Sequence, residues 1–183
     1  MRIKNFCGHL KTINQHRRLV RRGCFKIGLY KQGLLHDLSK YSPVEFGVGV
    51  RYWQGDRSPN NAEREAKGYS ESWMHHKGRN KHHFEYWNDY NIQRNGKPII
   101  NVDMPDIYIA EMLVDRISAC KVYHGSAYTD SSAWEYYSKS NHEDLMSEST
   151  RQKLEMLLKY QAENGEDALY KYIREVFLKG KYS

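Results

Sequence analysis

The chain has 183 residues, 39% of them hydrophobic, a mean hydropathy of -0.87 and a formal net charge of +7. That length can bury a core without disulfide staples, and no apolar run approaches the roughly 20 residues a membrane helix needs. A cytoplasmic, single-domain protein spanning residues 1–183 with no membrane partner is expected, because the basic start MRIKNFCGHLKTINQH lacks the apolar stretch of a signal peptide.

Residues 3–22 read as an amphipathic helix, with Phe6, Leu10, Ile13 and Val20 at near-helical spacing and four arginines on other faces. His9 and His16 stand two turns apart and share a face. Gly23 is the natural stop. A second helix over about 25–38 would present His36 and Asp37 at its C-terminal end. Ser42-Pro43-Val44-Glu45 carries an N-cap, a proline at N1 and a glutamate at N3, so a third helix runs from Pro43 to about Trp53. After the polar segment QGDRSPNNAER, AEREAK suggests a short helix ending at Gly68. Ser70 caps SESWMHHK, which Gly78 closes.

The Trp87–Met104 stretch lacks helical periodicity and reads as a long loop with one short strand at Ile99–Val102. Pro105 opens the helix PDIYIAEMLVDRISACKVY, whose Ile109, Met112, Leu113, Ile117 and Cys120 line a buried side. Helices at 132–139, 149–163 and 166–178 finish the chain. The expected fold is an all-α, single-domain helical bundle. Segments 54–69 and 88–104 are long enough to form lids.

Three features carry chemistry. The first is His36-Asp37-Leu38-Ser39-Lys40; alone it says little, since nine His and nine Asp give roughly 0.4 adjacent pairs by chance in 183 residues. The second is the two histidine pairs in WMHHKGRNKHH, His75-His76 and His82-His83. The third is Asp115, an acid on a mostly apolar helix, where a buried carboxylate needs a partner or a metal. Imidazole and carboxylate are the ligands of divalent metals where thiolates are scarce, and Cys7, Cys24 and Cys120 have no CxxC spacing. Hydrogen-bonded core or surface histidines are the plainer alternative for each residue taken singly. His124 and His142 read as exposed, and His9 as solvent or core.

The order His16 … His36-Asp37 … Asp115 on three expected helices resembles the H…HD…D signature of the HD-domain superfamily of metal-dependent phosphohydrolases. HDLSK is similar to its HDxGK variant, with Ser39 in place of glycine. The intervening histidine pairs resemble the H…HH insertion of two-metal members such as HD-GYP phosphodiesterases, though no GYP follows. HDLSKYSPVEF, QGDRSPN and WMHHKGRNKHHFEYW resemble the DUF5662 family over most of the chain, a match that carries no activity.

The HD resemblance implies an HD-domain-like bundle in which His16, His36, Asp37 and Asp115 hold one metal. Asp37 would bridge to a second metal held by His76, His82 and His83, with the choice within each histidine pair open. One or two Mn, Fe, Co, Ni or Zn ions suit these donors. The implied activity is hydrolysis of a nucleotide or other phosphate ester by a metal-bound hydroxide, with Asp37 and Lys40 as catalytic groups. Lys40, Arg79 and Lys81 would touch the phosphorylated small-molecule substrate. Two other readings stand beside it. One is a di-iron oxygenase-type HD protein; the other is a non-enzymatic basic module that binds nucleic acid around a structural metal, suggested by the charge and the Arg-rich first helix.

Overall fold

The computed structural model describes residues 3–93, 96–139 and 144–180; His142 lies outside them. Helix α1 spans Ile3–Lys26 and buries His9, Ile13, His16, Val20, Gly23 and Cys24, a single stripe at three- and four-residue intervals. It does not stop at Gly23 as expected. A Cβ on Gly23 would stand 2.6 Å from Val114 Cγ1 and 3.0 Å from Tyr170 Oη, so this glycine lets α1 pack close to its neighbours. The actual stop is Gly28, at a φ of 86°. Its N–H donates to the Phe25 carbonyl and that of Leu29 to Cys24, a Schellman closure whose Leu29 turns into the core.

Two substitutions separate packing from propensity. Gly23→Ala should destabilise the protein by about 1–3 kcal/mol, because α1 must move off Val114. Gly47→Ala meets nothing within 4 Å and lies in a helix, so it should stabilise by about 0.5–1 kcal/mol. Denaturant midpoints of the two variants check both signs.

The second helix is shorter than the expected 25–38. Helix α2 covers only Tyr30–Leu35, and His36 is its C-cap. Asp37 then adopts the left-handed conformation at φ 54° and ψ 30°, the only non-glycine with positive φ among the described residues. A 3₁₀ turn follows over Leu38–Tyr41. The His-Asp pair therefore occupies a break between helices. Arg17 braces that break from α1, donating from Nε to the His36 carbonyl at 2.8 Å and from Nη2 to that of Leu34 at 3.2 Å.

Helix α3 (Pro43–Tyr52) starts at the expected cap, the Glu45 amide donating to Ser42 Oγ. Helix α4 (Pro59–Lys67) ends at Gly68, and α5 (Glu71–Lys77) begins where the Trp73 amide donates to Ser70 Oγ. These three helices pack together, with α3 also against α1. The segment read as a loop with one strand forms a hairpin instead. Strands β1 (Asn88–Tyr90) and β2 (Ile99–Asn101) pair antiparallel, Asp89 opposite Ile100. Only the second was legible, because Asn-Asp-Tyr has no strand composition.

Helix α6 (Asp106–His124) is the centre. It buries Ile109 to Val114 in an unbroken run, with Ile117, Ser118 and Cys120 beyond. Helices α1, α7 (Ser132–Ser138) and α8 (Glu148–Asn164) pack on it, and α9 (Glu166–Glu175) packs on α1 and α8. The last helix stops at Glu175, short of the expected 178, and a 3₁₀ turn over Phe177–Lys179 follows. The protein is an all-α bundle with one small hairpin. No described helix is long and apolar enough to cross a membrane.

Candidate metal centre

Four segments meet at one place. Helix α1 supplies His16, the α2 break supplies His36 and Asp37, the end of α5 and the turn after it supply His76, His82 and His83, and α6 supplies Asp115. Ligand atoms of His16, His36, Asp37 and Asp115 all lie within 4.8 Å of one another, as do those of Asp37, His76, His82 and His83. All but Asp115 and His83 are buried, and those two nearly so.

Asp37 joins the two groups through different oxygens. Oδ2 lies 3.3 Å from His36 Nε2 and 3.8 Å from His16 Nε2, while Oδ1 lies 3.2 Å from His76 Nε2 and 3.4 Å from His82 Nε2. His16 Nε2 is also 2.9 Å from Asp115 Oδ1. Ligands about 2.1 Å from a shared ion stand roughly 3.0–3.5 Å apart in octahedral or tetrahedral coordination. The observed spacings fall around that range.

The angles point the same way. His16 Nε2, His36 Nε2, His82 Nε2, His83 Nε2 and Asp37 Oδ1 are buried with no partner in hydrogen-bonding geometry, despite these short contacts, while Asp37 Oδ2 has the Lys40 ammonium beside it. Each such atom normally costs about 1–3 kcal/mol when buried unmatched. Close atoms of opposite charge that make no hydrogen bond to one another leave a point between them where an ion fits. Five imidazoles, two carboxylates and no thiolate fit a borderline transition metal at that point.

Two glutamates, neither of them picked out as site residues from the sequence, fix the rings. Glu111 Oε1 lies 2.9 Å from His36 Nδ1 and 3.2 Å from His82 Nδ1, and Glu45 Oε2 lies 2.8 Å from His76 Nδ1. Each carboxylate accepts a hydrogen bond from Nδ1–H and leaves Nε2 facing inward, the usual outer support of a ligating histidine. Ser39 and Asn80 also close on His76 Nδ1, at 3.2 and 3.1 Å. Glu111 was findable: it precedes Asp115 by four residues and so shares its helix face. Glu45 was read only as a capping residue, and its carboxylate turns to His75 and His76 instead of back to the cap.

The charges interlock. Burial works against the Asp37 carboxylate, but His36, Lys40 and His76 hold it well below the usual range. Burial likewise opposes the Asp115 charge, and His16 and His36 overcome it. Burial disfavours the His36 cation, yet Asp37, Asp115 and Glu111 raise it well above its ordinary value. His83 goes the other way, lowered by burial and by its neighbours His82 and His76. Lys40 Nζ stands 2.5 Å from Asp37 Oδ2; Asp37 and Asp115 offset its burial and keep it protonated.

A cavity of about 540 Å³ opens on this cluster, with His16, Lys40, His76, His83 and Asp115 in its wall. Arg79 and Lys81 are not in that wall, contrary to the expectation that both face a substrate. The turn that brings His82 and His83 inward carries them outward: Arg79 donates to the His75 carbonyl at 3.2 Å, and Lys81 lies over the Tyr86 and Tyr108 rings. His75 pairs with Glu45 at 2.6 Å and belongs to neither metal-sized group. His9 is core, its ring against Phe46 and Gly49, and burial with Lys40 nearby pushes it down to about 4. His124 is exposed, at the cavity rim.

No curated protein and no solved structure matches the chain significantly. A family comparison matches residues 5–160, most of the chain and every residue of the candidate centre, to a group described as a family of unknown function. The chain belongs to the DUF5662 family.

Proposed function

We propose that this protein is a metal-dependent phosphohydrolase of the HD type, acting on a nucleotide or other phosphate ester. The observation that carries the reading is the double cluster: His16, His36, Asp37 and Asp115 in one group, Asp37, His76, His82 and His83 in the other, sharing one carboxylate. Two adjacent sites bridged by a carboxylate suit in-line phosphoryl displacement, which needs charge stabilised at both the attacking and the leaving oxygen. When bound, the ions supply Lewis acidity for that step, acidifying a water and polarising the phosphoryl group. Asp37 would hold the two sites in register. Lys40, protonated and in the cavity wall, would hold a phosphoryl oxygen. Glu111 and Glu45 would keep the imidazoles oriented. A cytoplasmic setting suits the free thiols Cys7, Cys24 and Cys120.

The test is elemental analysis of untagged protein together with hydrolysis of p-nitrophenyl phosphate under added Mn or Co. Metal near one or two equivalents and metal-stimulated turnover are expected, and both should be lost in His36→Ala. A metal-free protein, or full activity in His36→Ala, overturns the assignment. The excess of imidazole over carboxylate also favours a second reading, a di-iron oxygenase-type centre. Bound iron with an oxygen-bridged absorption band and no phosphatase activity would select it. Nucleic-acid binding draws support from nine Lys and Arg and no Asp or Glu in residues 1–36. Salt-dependent RNA or DNA binding that survives His36→Ala would favour that role.

A further inference from the structure

While one stripe of α1 carries His16 and the core, another faces out beside α2. Asn14, Arg17, Arg18 and Arg21 fall at i, i+3, i+4 and i+7 of that helix and so share a face. With Gly33, Leu34 and Tyr41 they line a hollow of about 170 Å³. Arg17 is fixed in its wall by the Leu34 and His36 carbonyls and the Tyr41 hydroxyl. Arg18 and Arg21 are exposed. Residues 1–36 contain no Asp or Glu, and of their lysines and arginines only Lys26 meets a carboxylate among the described residues, that of Asp167 at 3.0 Å.

Large apolar side chains run along the same hollow and stay half in water. Tyr30 and Leu34, i and i+4 on α2, are 55% and 54% exposed. Leu34 and Tyr41 share the hollow, while Leu38 and Tyr41, i and i+3 in the 3₁₀ turn, point to one side. Leu38 is 49% exposed, and the Phe25 ring meets that of Tyr30 edge-on at 5.3 Å. His36 and Asp37 turn inward to the metal centre, which leaves Leu34, Leu35 and Leu38 outside the break. Single exposed apolar side chains need no partner, whereas a contiguous set rimmed by charge marks a contact surface.

We propose that this face docks on an anionic phospholipid surface, with a headgroup phosphate in the arginine hollow and the leucines pressed into the interface. Leucines flanked by arginines are the pattern of a segment lying in a membrane surface, and arginine can bury its stem while its charge stays at the headgroups. Tyrosine suits the same depth. A second copy of the chain fits badly, because the same face would set arginine against arginine. A nucleic-acid strand would engage the arginines and tyrosines but leave three leucines in water. Such binding is peripheral; the expectation of no membrane partner rested on the lack of a spanning run, and a peripheral contact needs none. It does not depend on the hydrolytic reading of the metal centre.

The experiment is co-sedimentation of the full chain with vesicles of phosphatidylcholine alone, and of phosphatidylcholine with about 30% phosphatidylserine, at roughly 0.15 M salt. Binding to the phosphatidylserine vesicles and none to phosphatidylcholine alone is expected. Leu34→Ser/Leu38→Ser and Arg18→Gln/Arg21→Gln should each weaken it roughly tenfold or more, with a circular-dichroism melt to show that both variants fold. Leu38→Ser alone, with a loss of roughly threefold, replaces the leucine pair if that variant does not fold. No vesicle binding, or binding that the leucine substitutions leave unchanged, overturns the proposal; the latter would be charge attraction alone. An arginine-dependent complex with single-stranded RNA and no vesicle binding would assign the face to nucleic acid instead. A dimer in light scattering that Leu34→Ser/Leu38→Ser dissolves, again without vesicle binding, would assign it to a second copy.

Discussion

Adding Mn or Zn to the metal-stripped protein should raise its unfolding midpoint by about 5–15 °C. A ligand present at 100 to 1,000 times its dissociation constant stabilises the folded state by about 2.7–4.1 kcal/mol, and at this chain length each kcal/mol moves the midpoint by about 2–4 °C. The effect is large here because the ligands come from four separate segments, α1, the α2 break, the end of α5 with its following turn, and α6. An ion at the cluster ties α3–α5 to the main bundle. The unfolded chain offers no preformed site, so binding free energy becomes folding free energy. Mg at the same concentration should shift the midpoint far less, since it prefers an all-oxygen shell and the cluster offers five imidazoles. Differential scanning fluorimetry with each ion checks both statements. Equal shifts with Mg and Zn, or no shift with either, would leave the histidines as mutually hydrogen-bonded core groups.

The helices were legible because their signals are local. Ser42-Pro43 opens α3, Gly68 closes α4, Ser70 caps α5 and Pro105 precedes α6, each within a residue or two of the expected place. Gly23 misled for a physical reason: a glycine that ends a helix and one that lets two helices touch look alike in one dimension. Val114, which makes the difference, is 91 residues further on. The ligand candidates were legible as residue types at unusual positions, and the structure brings all seven together. What sequence could not supply was direction. Arg79 and Lys81 sit between inward histidines yet point away, because the turn after α5 sends Asn80, His82 and His83 inward and leaves these two exposed. Arg64 and Arg116, which do line the cavity, lie on α4 and α6 among ordinary surface and core patterns. Glu45 shows a further limit: a residue that satisfies a local rule, the helix cap, can have its side chain engaged elsewhere.

Asp37→Asn should cut activity on p-nitrophenyl phosphate at least a thousandfold while leaving the fold in place. Both halves follow from the geometry of this one residue. Asparagine is among the few residues that accept the left-handed conformation Asp37 adopts, so the break between α2 and the 3₁₀ turn can form unchanged. The amide keeps one oxygen but puts an NH₂ where the other stood. Whichever way it turns, one of the two groups (His16, His36 and Asp115, or His76, His82 and His83) loses its shared carboxylate ligand. Metal content should fall by at least half, and with it the thermal gain on metal addition. Glu111→Gln makes the contrast. It touches no inward-facing nitrogen and only weakens the hold on His36 and His82 through Nδ1, so metal affinity should drop about 10- to 100-fold and return at high metal concentration. Activity restored by excess Mn in Glu111→Gln but not in Asp37→Asn would separate a group that orients ligands from one that is itself a ligand. Rescue of both by excess metal would mean that Asp37 does not bridge, and that its unusual backbone serves only to place Lys40.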